Sequence, residues 1–183
     1  MTSLRKIEFQ YYKSPIGELI IGSCREKLCL LDYKYRSQRK RIDLRLSRGL
    51  NAIFTESNNP IIKKTIQELN TYLDGDLKKF SVSTLTIGSE FQKRVWEALK
   101  AIPYGHTLSY IALTKKLNIK ATNVRAVANA NGANAISVII PCHRVIGSNG
   151  SLVGYAGGLN AKKKLLQMEQ SNTLNINELP LWP

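Results

Sequence analysis

The chain has 183 residues, 43% of them hydrophobic, and carries 27 Lys and Arg against 13 Asp and Glu, a formal charge of +14. That is enough apolar material for one or two small cores and enough charge to attract and steer a polyanion, nucleic acid first among them. No run of about 18 apolar residues and no basic-then-apolar leader appears, which argues against a membrane span or a secretory signal and makes the cytoplasm, or the nucleus of a eukaryote, the expected compartment. Three cysteines without a paired framework fit a reducing compartment. Divided at Gly88, the chain has 16 basic and 9 acidic residues before the cut and 11 and 4 after it, +7 on each side, so the charge is not one tail.

In chain order, residues 7–12, 19–21 and 28–33 are short apolar or alternating runs separated by Pro15-Ile16-Gly17 and Arg25-Glu26-Lys27, the pattern of an antiparallel meander. Residues 34–48 hold seven basic residues and one acid, and Ile42, Leu44 and Leu46 allow a strand or a loop; the run is a candidate for phosphate contacts or a solvated face. Asn59-Pro60 opens a helix whose Ile62, Ile66, Leu69 and Leu73 share one face, and Asp74-Gly75 closes it. Residues 80–87 alternate weakly as a last strand, and Gly88 ends an α/β first domain, 1–88.

Ser89-Glu90-Phe91-Gln92 reads as a capping box starting a helix with Phe91, Val95 and Leu99 inward, stopped by Pro103. A second helix spans 110–117, capped by Ser109 or Thr107, and Thr122 caps a third that runs to Asn131 with Gly132 beyond its end. Two short helices joined by a short turn make a helix-turn-helix, and Ala126, Ala128 and Ala130 would let the second lie close to a duplex or to a neighbour inside the protein. The β-branched run 136–140 reads as a buried strand delivering Cys142 and His143 to one point. An imidazole beside a thiol is the usual means of raising its thiolate fraction. A glycine-rich path, residues 154–158, then leads to a last helix, 159–170, with Leu159, Leu165, Leu166 and Met168 inward and Lys162, Lys163 and Lys164 as a solvated face. Residues 89–171 form a mainly helical second domain, and 172–183 a mobile or loosely docked tail.

Pro141-Cys142-His143-Arg144-Val145, followed by Gly154-Tyr155-Ala156-Gly157-Gly158-Leu159 and a helix ending at Glu169, resembles the active-site signature of the O6-alkylguanine-DNA alkyltransferases. The resemblance reaches upstream through Phe91-Gln92, Val95-Trp96, Pro103-Tyr104-Gly105, Ser109-Tyr110 and Arg125-Ala126-Val127, covers residues 89–170 well, and touches the first half only through Ser14-Pro15-Ile16-Gly17. It implies an RNase H-like first domain and a winged-helix-like second one. It implies in-line displacement at an alkyl carbon, with Cys142 taking the alkyl group from O6 of guanine, and from O4 of thymine, in double-stranded DNA. His143 would remove the thiol proton through a water, Glu169 would orient the imidazole, and Tyr110 would hold the base and help protonate it as it leaves. Asn134 would be the hinge next to the cysteine. Arg125 would fill the gap left by a flipped nucleotide while Thr122, Asn123, Ala126 and Ala128 touch the duplex in its minor groove. Val145 through its backbone, with Tyr155, Ala156 and Gly157, would line the pocket, Ala156 standing where the family often has Ser.

Each molecule would act once, as a monomer and without a cofactor, because a thioether is very stable and no nucleotide-binding motif or metal cluster is present. Some relatives hold zinc with two Cys and two His. Here Cys24 and Cys29 match two positions but Arg5 stands at a third and no His precedes His106, so no metal is expected. A lesion-binding module without transfer would lack the cysteine, and a sequence-reading transcription factor would need polar base readers where residues 126, 128 and 130 are alanine.

Overall fold

The computed structural model describes residues 4–172. Its first half is built on a sheet of β1 (Arg5–Ser14), β2 (Gly17–Cys24) and β3 (Lys27–Tyr33), followed by α1 (Arg39–Leu50), β4 (Ala52–Glu56) and α2 (Pro60–Leu73). The strand order is β3-β2-β1-β4. The first three strands are the expected antiparallel meander, and β4 adds a parallel edge, Ile7 facing Phe54. The β1–β2 turn closes on Gly17 at φ 128°, a conformation that favours glycine.

Strand alternation divides the apolar residues between two layers. Ile7, Ile20 and Leu30 face α1 through Ile42, Leu46 and Leu50, whereas Leu19, Ile21, Leu28 and Leu31 face α2 through Ile62, Leu69 and Tyr72. The second layer runs without a break into the second half of the chain, whose elements are α3 (Glu90–Lys100), β5 (Leu108–Ser109), α4 (Tyr110–Lys116), α5 (Val124–Gly132), β6 (Val145–Ile146) and α6 (Gly158–Ser171), with single 3-10 turns at Ala121–Asn123 and Cys142–Arg144. Two helix starts match their sequence signals: Asn59 accepts from Ile62 N with Pro60 next to it, and Ser89 and Gln92 form the reciprocal capping box. Ser109, rather than Thr107, caps α4 by accepting from Ala112 N.

Several expectations need correction. Residues 39–50 are a helix, neither strand nor loop, because Ile42, Leu46 and Leu50 recur four apart and cover the sheet. The basic run around it is largely tied to the protein itself. Arg36 and Arg39 pair with buried Asp32, Arg36 also donates to Asn134 O at 2.8 Å and to Gly132 O, and Arg45 donates to Ala133 O at 2.7 Å. These cations satisfy the bare carbonyls that follow α5.

Residues 80–87 and 136–140 are not strands. Each touches the β3 edge for a residue or two, through the bridges Leu28 with Thr84 and Leu31 with Ile136, and then turns away. In the second run Val138 sits at φ 70°, left-handed backbone that a β-branched residue rarely adopts. Cys142 is therefore presented by a buried turn, not by a strand end. Thr122 lies inside a 3-10 turn, and neither it nor Asn123 caps α5 with its side chain. Gly132 is the last residue of α5 instead of lying beyond it. Leu159 is exposed and Lys162 is fully buried, the reverse of the expected faces of α6. Of the tail, only Asn172 lies within the described residues; it closes α6 and donates to Tyr104 Oη at 3.2 Å.

Candidate active site

Cys142 lies in the wall of a cavity of about 480 Å³ that is also lined by Arg36, Tyr110, Arg125, Asn131, Asn134, Tyr155 and Ala156. A cavity of this size accommodates one nucleobase. Cys142 is only 4% exposed. Asn134 fixes its surroundings: its Nδ2 donates to Cys142 Sγ at 3.3 Å and to Ile140 O at 2.9 Å, and its Oδ1 accepts from Ile136 N at 2.9 Å. One side chain thus holds both the thiol and the turn that carries it. Burial raises the thiol above its usual range, and the Asn134 hydrogen bond and the Arg36 charge only partly offset this. At neutral pH the resting group is a thiol, and ionising it needs a base.

His143 and Glu169 lie behind the cysteine, away from the cavity wall and fully buried. His143 Nε2 is 2.8 Å from Glu169 Oε1. Burial lowers the imidazole pKa against the pull of Glu169, so the resting ring is neutral. Its Nδ1 is buried without a protein partner among the described residues. Burial works to raise Glu169, but His143 and Arg144 outweigh it and hold the carboxyl at about 2, so it is a carboxylate.

Donors from four of the described residues converge on that carboxylate. Besides His143, Arg144 gives Nε to Oε2 at 2.9 Å and Nη2 to Oε1 at 2.9 Å, Gly105 N reaches Oε2 at 3.1 Å, and Tyr72 Oη donates to Oε1. Neither Arg144 nor Tyr72 was anticipated. Arg144 stands inside the motif, between His143 and Val145, where a charge within a buried segment is itself a signal of pairing. Tyr72 comes from α2 and carries no signal in the sequence beyond its place on the inner face.

Tyr110 Oη accepts from Asn131 Nδ2 at 3.1 Å, which leaves its own hydrogen to donate, and burial pushes its pKa up to about 12, so it stays a neutral phenol. Arg125 and Ala126 are exposed and Ala128 is half-buried on α5, and Thr122 and Asn123 are exposed in the turn before it. Ala130 belongs with the core, its carbonyl accepting Trp96 Nε1–H at 2.9 Å, so only two of the three alanines face outward. Val145 does not line the cavity; it pairs with Leu108, and its carbonyl accepts from buried Lys162 Nζ at 2.6 Å. The same ammonium holds Val153 O at 2.7 Å, tying the glycine-rich loop to the cysteine turn. Gly157 is likewise off the cavity wall, and the Tyr33 ring occupies the space its Cβ would need.

Residues 90–171 match the profile of the 6-O-methylguanine DNA methyltransferase DNA binding domain, and residues 7–86 that of the same family's ribonuclease-like domain. A methylated-DNA–protein-cysteine methyltransferase of Methanosarcina acetivorans is 40% identical over 164 residues, 89% of this chain and 98% of the relative. One from Mycobacterium leprae is 38% identical over 88% of this chain and 91% of its own length. The crystal structure of Mycobacterium tuberculosis OGT in complex with DNA superposes with a TM-score of 0.76 at 36% identity, covering 91% of this chain and 94% of that one. With both halves matched in this order, a ribonuclease-like domain followed by a DNA-binding domain, the chain belongs to the 6-O-methylguanine DNA methyltransferase family.

Proposed function

We propose that the protein repairs DNA by direct reversal, moving an alkyl group irreversibly from O6 of guanine, and from O4 of thymine, to Cys142. The observation that carries this reading is a buried thiol in the wall of a base-sized cavity, with a neutral imidazole, a carboxylate and a phenol set around it. Gly88 separates a domain of residues 1–88 from a DNA-binding domain of residues 89–171. In the second, α4 and α5 act as a helix-turn-helix that offers the exposed residues Thr122, Asn123, Arg125 and Ala126, with Ala128, to the minor groove. Small residues there permit close approach. Arg125, exposed at the cavity mouth, takes the place of the target nucleotide when it swings out of the stack, a movement that costs a few kcal/mol.

With the base in the cavity, the thiol proton passes to His143 through a water at Nδ1, and Glu169 stabilises the imidazolium through Nε2. Sulfur attacks the alkyl carbon, forming the S–C bond as the C–O6 bond breaks, and the departing guanine takes a proton from the Tyr110 hydroxyl. Because both thiol and imidazole rest neutral, the nucleophile is generated only when the base is in place, which guards a single-use group against stray electrophiles. The wall at Ala156 has no hydroxyl to offer O6, so contact there falls to the backbone. Among the described residues no helix is long and apolar enough to cross a membrane. The reading places the protein with the DNA it repairs, in the cytoplasm or, in a eukaryote, the nucleus.

The test uses a duplex whose single O6-methylguanine carries a labelled methyl group. Label should move to protein until one methyl is bound per chain and then stop. Repeated turnover, or lesion binding without transfer, would refute the reading.

A further inference from the structure

The transfer site as read above places its base and orienter in the second domain, yet one of the donors on Glu169 comes from the first. Tyr72 lies on the inner face of α2, fully buried, with its ring packed edge-on against Tyr104 and tilted against Phe80. Its hydroxyl donates to Glu169 Oε1, the same oxygen that His143 Nε2 approaches at 2.8 Å, and lies 3.5 Å from that ring nitrogen. We propose that Tyr72 is a positioning residue for the transfer reaction, its hydroxyl competing with His143 for one carboxylate oxygen and so setting how strongly Glu169 stabilises the imidazolium. The inference rests on the roles proposed for Cys142, His143 and Glu169.

A carboxylate oxygen that already accepts a buried phenol and a guanidinium has less electron density to lend to a third donor, and in a dry site each such donation is felt strongly. Arg144, on the cysteine turn, supplies a permanent positive charge to both oxygens of Glu169, and Gly105 N a dipole, so the carboxylate stays ionised whether or not Tyr72 is present. Among the described residues the other titratable groups turned toward this cluster are Tyr104, from the loop after α3, Tyr155, whose ring stands edge-on to His143, and Lys162, about two turns before Glu169 on α6. Lys162 holds two backbone carbonyls, and the Tyr104 and Tyr155 hydroxyls pair with Asn172 and Tyr33 instead of the His143 ring. Tyr72 is a neutral side-chain donor, so its hydroxyl can be removed without taking a charge out of the site. Its removal leaves Glu169 freer to pull on His143, favours the imidazolium–thiolate pair, and eases ionisation of Cys142. The first domain contributes a group to the chemistry in addition to covering the second.

The experiment follows the rate at which full-length protein reacts with free O6-benzylguanine between about pH 5 and 9, read as the mass of the benzyl adduct, for wild type, Tyr72→Phe, Glu169→Gln and protein carrying 3-fluorotyrosine at position 72. The phenyl ring of Tyr72→Phe keeps the packing on Phe80 and Tyr104. The acid-side inflection in rate, where His143 gains a proton and can no longer act as the base, should move to higher pH by about half a unit in Tyr72→Phe, and to lower pH in Glu169→Gln. Fluorotyrosine, a stronger donor, should move it downward, which keeps the proposal testable if Tyr72→Phe folds poorly. An inflection in Tyr72→Phe and fluorotyrosine protein unmoved from wild type, with Glu169→Gln displaced, would overturn the role of Tyr72 alone, whatever happens to the melting temperature. An inflection unmoved in Glu169→Gln as well would overturn the reading of the site on which the proposal rests.

Discussion

Arg144 grips Glu169 through two guanidinium nitrogens, Nε 2.9 Å from Oε2 and Nη2 2.9 Å from Oε1, while its Nη1 donates to Ile102 O at 2.7 Å. The pair is buried on both sides. Removing one member of a buried pair leaves the other charge uncompensated and costs about 3–5 kcal/mol. Arg144→Met should therefore lower the unfolding free energy by about that amount, measured by urea denaturation. Arg144→Lys should recover little, because an ammonium cannot span two carboxylate oxygens and a carbonyl in one plane. A lysine variant as stable as wild type would contradict this account of the guanidinium.

The same pair makes stability acid-sensitive. Burial raises Glu169 but His143 and Arg144 pull it from the usual 4.5 down to about 2, so the stabilisation is complete above about 4.5 and is lost as pH falls toward about 2, on the order of 3 kcal/mol in all. His143, held neutral by burial, adds a loss that begins below its unfolded value near 6.5, where the unfolded chain gains a proton that the folded one resists. Chemical denaturation from pH 7 to 3 should show a monotonic decline. The gap between wild type and Glu169→Gln should narrow over the lower part of that range, whereas a constant gap would mean that Glu169 is not the group being protonated.

How much of this was legible in the sequence depended on whether a feature was local. The caps at Asn59 and Ser89 are contained within four residues each and read correctly, and Ser109 was one of the two candidates for α4. Cys142, with Tyr110, Asn134 and Ala156, was found by pattern, and these four residues share one cavity. What failed was non-local. Residues 136–140 look like a strand because burial alone selects β-branched residues, and nothing in the run shows that Val138 turns the chain back. Helix α1 was obscured by its charges, although Ile42, Leu46 and Leu50 had helical spacing. Lys162 stands second in Ala161-Lys162-Lys163-Lys164, and only the fold shows that this lysine points inward to two carbonyls while Lys163 and Lys164 face solvent. Tyr72 and Glu169 lie 97 residues apart, beyond any reading of a single segment.

Arg125 is exposed on α5 and lines the cavity, and the role proposed for it arises only when a nucleotide must leave a duplex. Arg125→Ala should slow transfer from O6-methylguanine in duplex DNA by at least about tenfold and leave reaction with the free base nearly unchanged. Stopped reactions sampled against both substrates would decide it, and equal losses on the two would remove Arg125 from this role.

The alkylated protein should be less stable than the unreacted one. Sγ is buried and accepts from Asn134 Nδ2, and a methyl or benzyl group added there must displace neighbours. Overpacking costs about 1–3 kcal/mol. Displacement of Asn134 would also disturb Ile136 N and Ile140 O, and through them the turn that follows α5. The melting temperature and the affinity for lesion-free duplex should both fall, more for the benzyl adduct than for the methyl. Two adducts that melt and bind like the unreacted protein would show a roomier pocket and an uncoupled hinge.

The central claim is that the alkyl group ends on one particular sulfur. Three free thiols are present, and Cys24 and Cys29 are as buried as Cys142, with burial pushing Cys29 up to about 12. Neither lines the cavity that holds Cys142. Incubation with a duplex containing O6-methylguanine, followed by proteolysis and peptide mass mapping, reads the position directly. The account predicts one methyl, on Cys142 alone, and none in Cys142→Ser protein, which should still bind the duplex. Methylation at Cys24 or Cys29, or undiminished transfer in Cys142→Ser, would contradict it.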